Sequence, residues 1–398
     1  MIKCVVFALL FMVICGHALG QDVSISYSSG ISDGDQITIT TDGTYDFGAN
    51  GPSVLYYMSL SGVSDGDTLG TDNQYGYASV SAGPYGAPTI GSASGLPYGL
   101  GIEIGDYEAE SSENSTITKT IDIVSDSVYT QFFEFYYFQY PAENQSAASS
   151  FDKTGWQVKP AWHYAGESAG HDQEPDVFVH SWQWYAPGSY WISAPNISSN
   201  DQPISQFDTS SNQLRNPSDA TLIRSDAINR QFWVKCGPVA GSATGSDGFV
   251  QNMSSSSGII KSTDYNSSGY WTGNSATIIG YDRVNLPGYV RGFHVPDSCH
   301  WYISQYYCST GPGAAARVEI TDSQVYENST QTSICIVSSW SATSITADIS
   351  HGVFYASGVE QMYVHVFDEN NDHVVMAGQI VGPETSISAP TSLSARKL

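Results

Sequence analysis

Short runs in which apolar and polar residues alternate, broken every few residues by Gly, Asp, Asn or Pro, recur along the whole of this 398-residue chain. VSISY sets Val23, Ile25 and Tyr27 in phase, QITIT does the same for Ile37 and Ile39, and TITKTIDI, QFWVKC, ATIIGY, TSICIV, TSITADI and QMYVHVF keep the beat. A two-residue period sends successive side chains to opposite faces of a pleated strand, whereas an amphipathic helix needs apolar residues three and four apart. No long window keeps that second spacing. The reading is an all-β, antiparallel fold, with VYTQFFEFYYFQY at 128–140 as one more alternating strand and a hairpin in MYVHVFDENNDHVVMAGQIV turning at Asp368 to Asp372.

The first residues read differently. Met1 to Gly20 carry one lysine, the apolar run CVVFALLFMVICG and small residues at Ala18 and Gly20, the layout of a secretory signal peptide. The mature chain is expected to begin near Gln21, and no other apolar stretch reaches the roughly 20 residues that cross a bilayer. A soluble product, secreted or at the cell surface, is the expectation. Removing Lys3 and no acid takes the formal net charge from −25 to −26, a surface that repels nucleic acid and anionic lipid. Only 13% of residues are charged, so polarity comes mainly from hydroxyls and amides, which suits neutral hydrogen-bonding partners such as sugars and equally suits a plain solvated exterior.

Four cysteines remain after the signal: Cys236, Cys299, Cys308 and Cys335. In an oxidising compartment an even number favours two disulfides, with three pairings open and Cys299–Cys308 the first expectation because the two are close in sequence. Sequons begin at Asn114, Asn144, Asn196, Asn252, Asn266 and Asn328, surface glycosylation sites if the host is eukaryotic.

The 378 residues after Gly20 exceed one ordinary β domain. SGISDGDQITITTDGTYDFGANGP near the start, with SWSATSITADISHGVF and MYVHVFDENND near the end, resembles the first and last strands of an IPT/TIG-type immunoglobulin-like module. Between them GWQVKPAWHYAG, QFWVKC, YDRVNLPGYVRG and HWYISQYYCSTGPGAAARVEI resemble concanavalin A-like lectin/glucanase jelly rolls. The resemblance implies a jelly roll inserted in a split immunoglobulin-like sandwich. The expected division is 1–20 signal, 21–58 first part of the immunoglobulin-like domain, 59–313 jelly roll, 314–385 second part, and 386–398 a flexible tail. Insertion of this kind works where the termini of the inserted unit lie close together at the surface.

FVHSWQWYAPGSYW, residues 178–191, holds three of the nine tryptophans, and Trp156 and Trp162 lie just upstream. On a strand Phe178, His180, Trp182 and Trp184 share one face, and Trp156, Trp162 and Tyr164 share a parity of their own. If the two strands are neighbours, their rings could form one aromatic face on which sugar C–H faces stack. The competing reading makes these rings core between two sheets. Tyr190 and Trp191 follow Pro187-Gly188 and belong to a rim. The candidate glycan-binding residues are thus Trp162, His180, Trp182, Trp184, Tyr185, Tyr190 and Trp191.

No complete catalytic set is legible. GESAG with Ser168 and His171 matches a nucleophile elbow, but the strand–turn–helix context is missing. EPDVFVH offers Glu174 and Asp176 as the paired acids of laminarinase-type glucanases, yet Phe178 and Val179 stand where the general acid belongs. His163, His171 and His180, spaced eight and nine apart, do not form a metal site. Calcium is the one cofactor with a candidate loop, SDGDTLGTDN with Asp65, Asp67 and Asp72, although D-G dipeptides are ordinary turn formers. The sequence therefore supports a secreted polysaccharide-binding protein first. An extracellular structural or adhesive component that self-associates comes second, as part of a surface layer, filament or virion, and a glycan-cleaving hydrolase or lyase third.

Overall fold

A computed structural model describes residues 23–27, 31–68, 79–81, 88–105, 120–139, 157–159, 161–164, 177–185, 190–198, 227–235, 249–254, 258–261, 281–286, 289–291, 301–354 and 361–381. The strands in the first half are β1 (Val23–Tyr27), β2 (Gln36–Thr41), β3 (Ser53–Tyr57), β4 (Ser79–Ser81), β5 (Ile90–Ser92), β6 (Leu100–Gly105), β7 (Thr120–Tyr129), β8 (Gln131–Gln139), β9 (Gln157–Lys159), β10 (Trp162–Tyr164), β11 (Val177–Tyr185) and β12 (Tyr190–Ser198). Those in the second half are β13 (Ile228–Lys235), β14 (Phe249–Ser254), β15 (Gly258–Lys261), β16 (Tyr281–Leu286), β17 (Tyr289–Arg291), β18 (Trp301–Thr310), β19 (Arg317–Thr321), β20 (Thr332–Ile334), β21 (Ile336–Ser341), β22 (Ser344–Asp348), β23 (Gln361–Phe367) and β24 (His373–Val381). The alternating, turn-punctuated sequence folds as that pattern requires, into antiparallel sheets packed as sandwiches. No helix of the described residues is long and apolar enough to cross a membrane.

Two large sheets form a jelly-roll sandwich. In the first, β9 and β10 act as one interrupted strand, because both pair with the same edge of β11, and β17 and β16 lie beyond them. β7 and β4 follow on that side, while β12 pairs only with β11 among the described residues and closes the opposite edge. The second sheet runs β15-β14-β13-β8-β18, with β6 and β3 sharing the far edge of β18 and β5 outside β6. Two four-stranded sheets, β1-β2-β22-β21 and β20-β19-β23-β24, form a smaller sandwich from both ends of the chain, since Gln36–Thr40 pair with Ser344–Asp348. Its interior is Ile37, Ile39, Val318, Ile320, Ile345, Met362, Val364 and Val366.

Strand β8 shows how the layers stack. Alternation in QFFEFYYFQ predicts one buried and one exposed face, yet residues 132–138 are all buried. The reason is a third layer. Phe132 and Glu134 meet His163 of the first large sheet, while Phe133 lies under Arg317 and Tyr137 donates to the Thr332 carbonyl of the small sandwich. A strand covered on both faces reads as a continuous apolar run, and the aromatics supply it. The second large sheet is therefore the shared middle layer.

The middle layer also corrects the disulfide expectation. Cys308 and Cys335 are free, buried thiols, so the pairing Cys299–Cys308 is not formed. Cys308 lies beside Tyr306 and Glu134 between the large sheets, whereas Cys335 belongs to the core shared with the small sandwich. Burial raises both thiols, Cys335 to about 12, and keeps them protonated. Cys236 and Cys299 lie outside the described residues.

Candidate functional site

The hairpin β11–β12 pairs in unbroken register from Val177 opposite Ser198 to Tyr185 opposite Tyr190. At its connected end Trp184 stands opposite Trp191, and Tyr185 opposite Tyr190. The ribbon thus ends with a tryptophan pair and a tyrosine pair at successive register positions. Deeper in the sheet His180 is opposite Pro195, and Trp182 is opposite Ser193 on one side and Val158 on the other.

The register corrects the expectation of one aromatic row drawn from both strands. His163 is opposite Phe178, and Trp162 is opposite Val179. Trp162 therefore joins the row of Val179, Ser181 and Gln183, while Phe178, His180, Trp182 and Trp184 continue the row of His163. Trp156 lies outside the described residues.

His163 itself is the centre of a buried polar network between the two large sheets. Its Nε2 lies 2.7 Å from Oε1 of Glu134 on β8, its Nδ1 lies 2.8 Å from the Tyr129 hydroxyl, and its ring stacks on Phe132 at 3.6 Å between centroids and 12° between planes. Tyr306 on β18 donates to the same Glu134 oxygen, and Tyr129 donates to the Arg283 carbonyl at 3.2 Å. Both ring nitrogens of His163 are thus engaged, Nδ1 with the Tyr129 hydroxyl and Nε2 with the Glu134 carboxylate. Glu134 and His163 are completely buried. Burial and then the charges around them raise Tyr129 and Tyr306 well above an ordinary phenol, so both serve as donors and not as bases at neutral pH. Closed off from solvent, the network ties β10 to β8 and so fixes the strand against which β11 and its ribbon pair. Sequence reading missed Glu134, although a lone carboxylate among six aromatic neighbours in QFFEFYYFQ is a signal, because a buried charge must be paired.

A second network joins the large and small sandwiches. Tyr57 donates to Ser350 Oγ at 2.6 Å and Gln305 Nε2 donates to it at 2.9 Å, while the Tyr98 hydroxyl lies 3.2 Å away. Tyr98 passes its proton to Asp33 Oδ2 at 2.7 Å, so Ser350 donates to Tyr98 and the chain of donors ends on one carboxylate. Asp33 Oδ1 accepts from the His351 backbone N–H at 2.6 Å and lies 3.5 Å from its Nδ1. Tyr98 and Gln305 both hold the left-handed backbone, at φ 58° and 49°. Gly352 sits against them because a Cβ there would come within 2.5 Å of Ser333 Oγ and 2.7 Å of the Gln305 amide.

This arrangement sets a pH dependence. Desolvation alone would raise Asp33, but the bonds from His351 and Tyr98 together hold it below its ordinary 3.8. A carboxyl lowered by folding stabilises the fold above the unfolded value and loses that contribution as pH falls through the folded value. The wild type is therefore expected to outlast Asp33→Asn in urea at about pH 5 to 7 and to lose the advantage below about pH 3. Urea midpoints measured across that range check this, and a gap that widens on acidification contradicts it.

Other candidates from the sequence fall as follows. Asp65 accepts from Ser92 Oγ and Asp67 from the Ser64 N–H, both at 2.9 Å, so these carboxylates serve turns, and Asp72 lies outside the described residues. No group of three or more His, Cys, Asp or Glu that could hold a metal occurs among the described residues. Ser168, His171, Glu174 and Asp176 lie outside them, as do Asn114, Asn144 and Asn266. Asn196 and Asn252 sit within β12 and β14, and Asn328 is exposed at the end of a 3-10 turn.

No protein-family model and no curated protein matches the chain. Among solved structures it is similar to the alginate lyase Aly36B, solved with an alginate trisaccharide, at 12% identity and a TM-score of 0.40, over 65% of this chain and 99% of that one. It is also similar to the alginate lyase vAL-1 from Chlorella virus, at 11% identity and 0.37, over 62% and 99%. A third similarity is to the receptor binding domain of botulinum neurotoxin type G, at 9% identity and 0.28, over 71% and 68%.

Proposed function

We propose that this chain is a secreted polysaccharide-binding protein whose recognition surface is the edge ribbon β11–β12. The observation that carries the reading is the register that sets Trp184 opposite Trp191 and Tyr185 opposite Tyr190. Whichever face of the ribbon meets solvent, its end offers an aromatic pair, the surface on which sugar C–H faces stack while Ser, Asn and Gln around it bond hydroxyls. The acidic, low-charge composition favours neutral over anionic glycans. The division of the chain at residues 58, 313 and 385, with a signal before Gln21 and an extracellular location, belongs to the same proposal.

A glycan array and affinity electrophoresis on neutral and acidic polysaccharides test it. The chain is expected to retain a neutral glycan, and alanine at the pair on the solvent face, Trp184 and Trp191 or Tyr185 and Tyr190, is expected to cost about 1–3 kcal/mol of binding, roughly 5- to 150-fold. An array without a binder, or variants that bind unchanged, overturns the reading. Release of reducing ends or unsaturated products from the panel would replace it with a hydrolase or a lyase, and concentration-dependent assembly without glycan binding would replace it with a structural component.

A further inference from the structure

One pair of titratable side chains takes no part in the ribbon or in either polar network. His365 on β23 and His373, the first residue of β24, bring Nδ1 and Nε2 to 3.0 Å from each other. A register shift in the β23–β24 ladder between Val366 and Phe367 sets His373 opposite Phe367 and in reach of His365. His365 is fully buried, and its Nε2 donates to the Ser323 carbonyl at 2.9 Å. That bond fixes the tautomer: the proton is on Nε2, and the lone pair of Nδ1 points at His373. His373 is exposed, its ring stacked on Tyr326 at 5.7 Å and 22°.

We propose that His365 Nδ1 and His373 Nε2 are the two protein ligands of a surface site for an imidazole-seeking divalent transition metal, Zn²⁺ or Cu²⁺, with water completing the coordination. Two nitrogens each about 2.0–2.1 Å from a tetrahedral ion lie roughly 3.3 Å apart, so the pair needs to open by a few tenths of an ångström and the rings to turn by roughly 35° so that both lone pairs converge on the ion. Ligating histidines commonly donate the other ring N–H to a carbonyl, the role Ser323 already plays. Neutral imidazole suits these ions, and the Tyr326 and Phe367 rings packed against His373 hold it in place. On binding, the proton shared between the imidazoles leaves His373 Nε2 for its Nδ1 or for solvent, and the freed lone pair takes the ion.

The test uses the full chain without a histidine tag, stripped by chelator, and titrated with Zn²⁺ by calorimetry and with Cu²⁺ by electron paramagnetic resonance. One ion per chain is expected, with nitrogen coupling in the copper spectrum. His373→Ala and His373→Gln, exposed substitutions whose circular dichroism is expected to match the wild type, should weaken zinc roughly tenfold or more and remove one imidazole from the copper signal. Unchanged affinity and spectrum in both variants, or no binding of either ion up to about 1 mM, overturns the site.

Discussion

Arg317→Ala lowers the unfolding free energy by about 3–5 kcal/mol, the expected result of removing one partner from a buried ion pair. Arg317 and Glu319 alternate along β19 onto the face that meets the middle sheet, and both are completely enclosed. The guanidinium Nε lies 2.5 Å from Glu319 Oε1, its Nη1 bonds the Ala315 carbonyl at 2.9 Å and Asn371 Oδ1 at 2.6 Å, and its Nη2 reaches Gln231 Oε1 at 3.3 Å. The plane of the group is held between Phe133 and Phe367, with centroids at 4.5 and 3.8 Å. Glu319 Oε2 accepts in turn from Thr332, Tyr326 and Gln231, at 2.8, 3.0 and 3.2 Å. Alanine leaves that carboxylate buried without its cation and opens a void between the rings. Lysine does not rescue the loss, because an ammonium cannot reproduce a flat fork stacked on two aromatics. Replacing both charges, as in Arg317→Met with Glu319→Gln, recovers part of the loss. Urea titrations followed by near-ultraviolet circular dichroism check the series, and an Arg317→Ala variant within about 0.5 kcal/mol of wild type contradicts the role.

Glu134→Leu is expected to cost about 2–5 kcal/mol, because the His163 Nε2–H and the Tyr306 hydroxyl, both fully buried, lose their acceptor. Glu134 Oε2 has no hydrogen-bond partner among the described residues, and the bonds to Oε1 hold Glu134 in the interior. A double replacement, Glu134→Leu with His163→Phe, recovers part of the loss, and the pair shows a coupling of about 0.5–3 kcal/mol in a double-mutant cycle. Independent, additive losses would show that the two side chains do not act as one bridge between the sheets. Because β10 pairs with β11, the single variant is also expected to weaken the proposed glycan retention with no residue of the ribbon substituted.

Much of the fold is legible from the two-residue beat alone. The beat fixes the all-β class, and Asp368 to Asp372 mark the hairpin turn, where the Asp368 N–H meets the Asp372 carbonyl at 3.0 Å. What alternation does not reveal is how many layers cover a strand. QFFEFYYFQ carries aromatics at both parities, and only the presence of sheets on each side turns the whole run inward. Nor does parity within a strand set register between strands. The interruption between β9 and β10 changes the pairing sum by one residue, with Val158 opposite Trp182 but Trp162 opposite Val179, and this alone moves Trp162 off the row of Trp182. Cys308 and Cys335 read as part of a disulfide framework if the chain is secreted, yet they are buried as free thiols. Arg317 and Glu319 in AAARVEI, two apart on one strand face, were a legible pair, and sequence reading passed over them.

Hydroxyl-radical footprinting of the wild-type chain, with and without a saturating neutral polysaccharide, tests the proposed glycan surface most directly. Protection concentrated at Trp184, Tyr185, Tyr190 and Trp191 is the predicted result. Oxidation of those four residues that stays the same while the glycan is bound contradicts it.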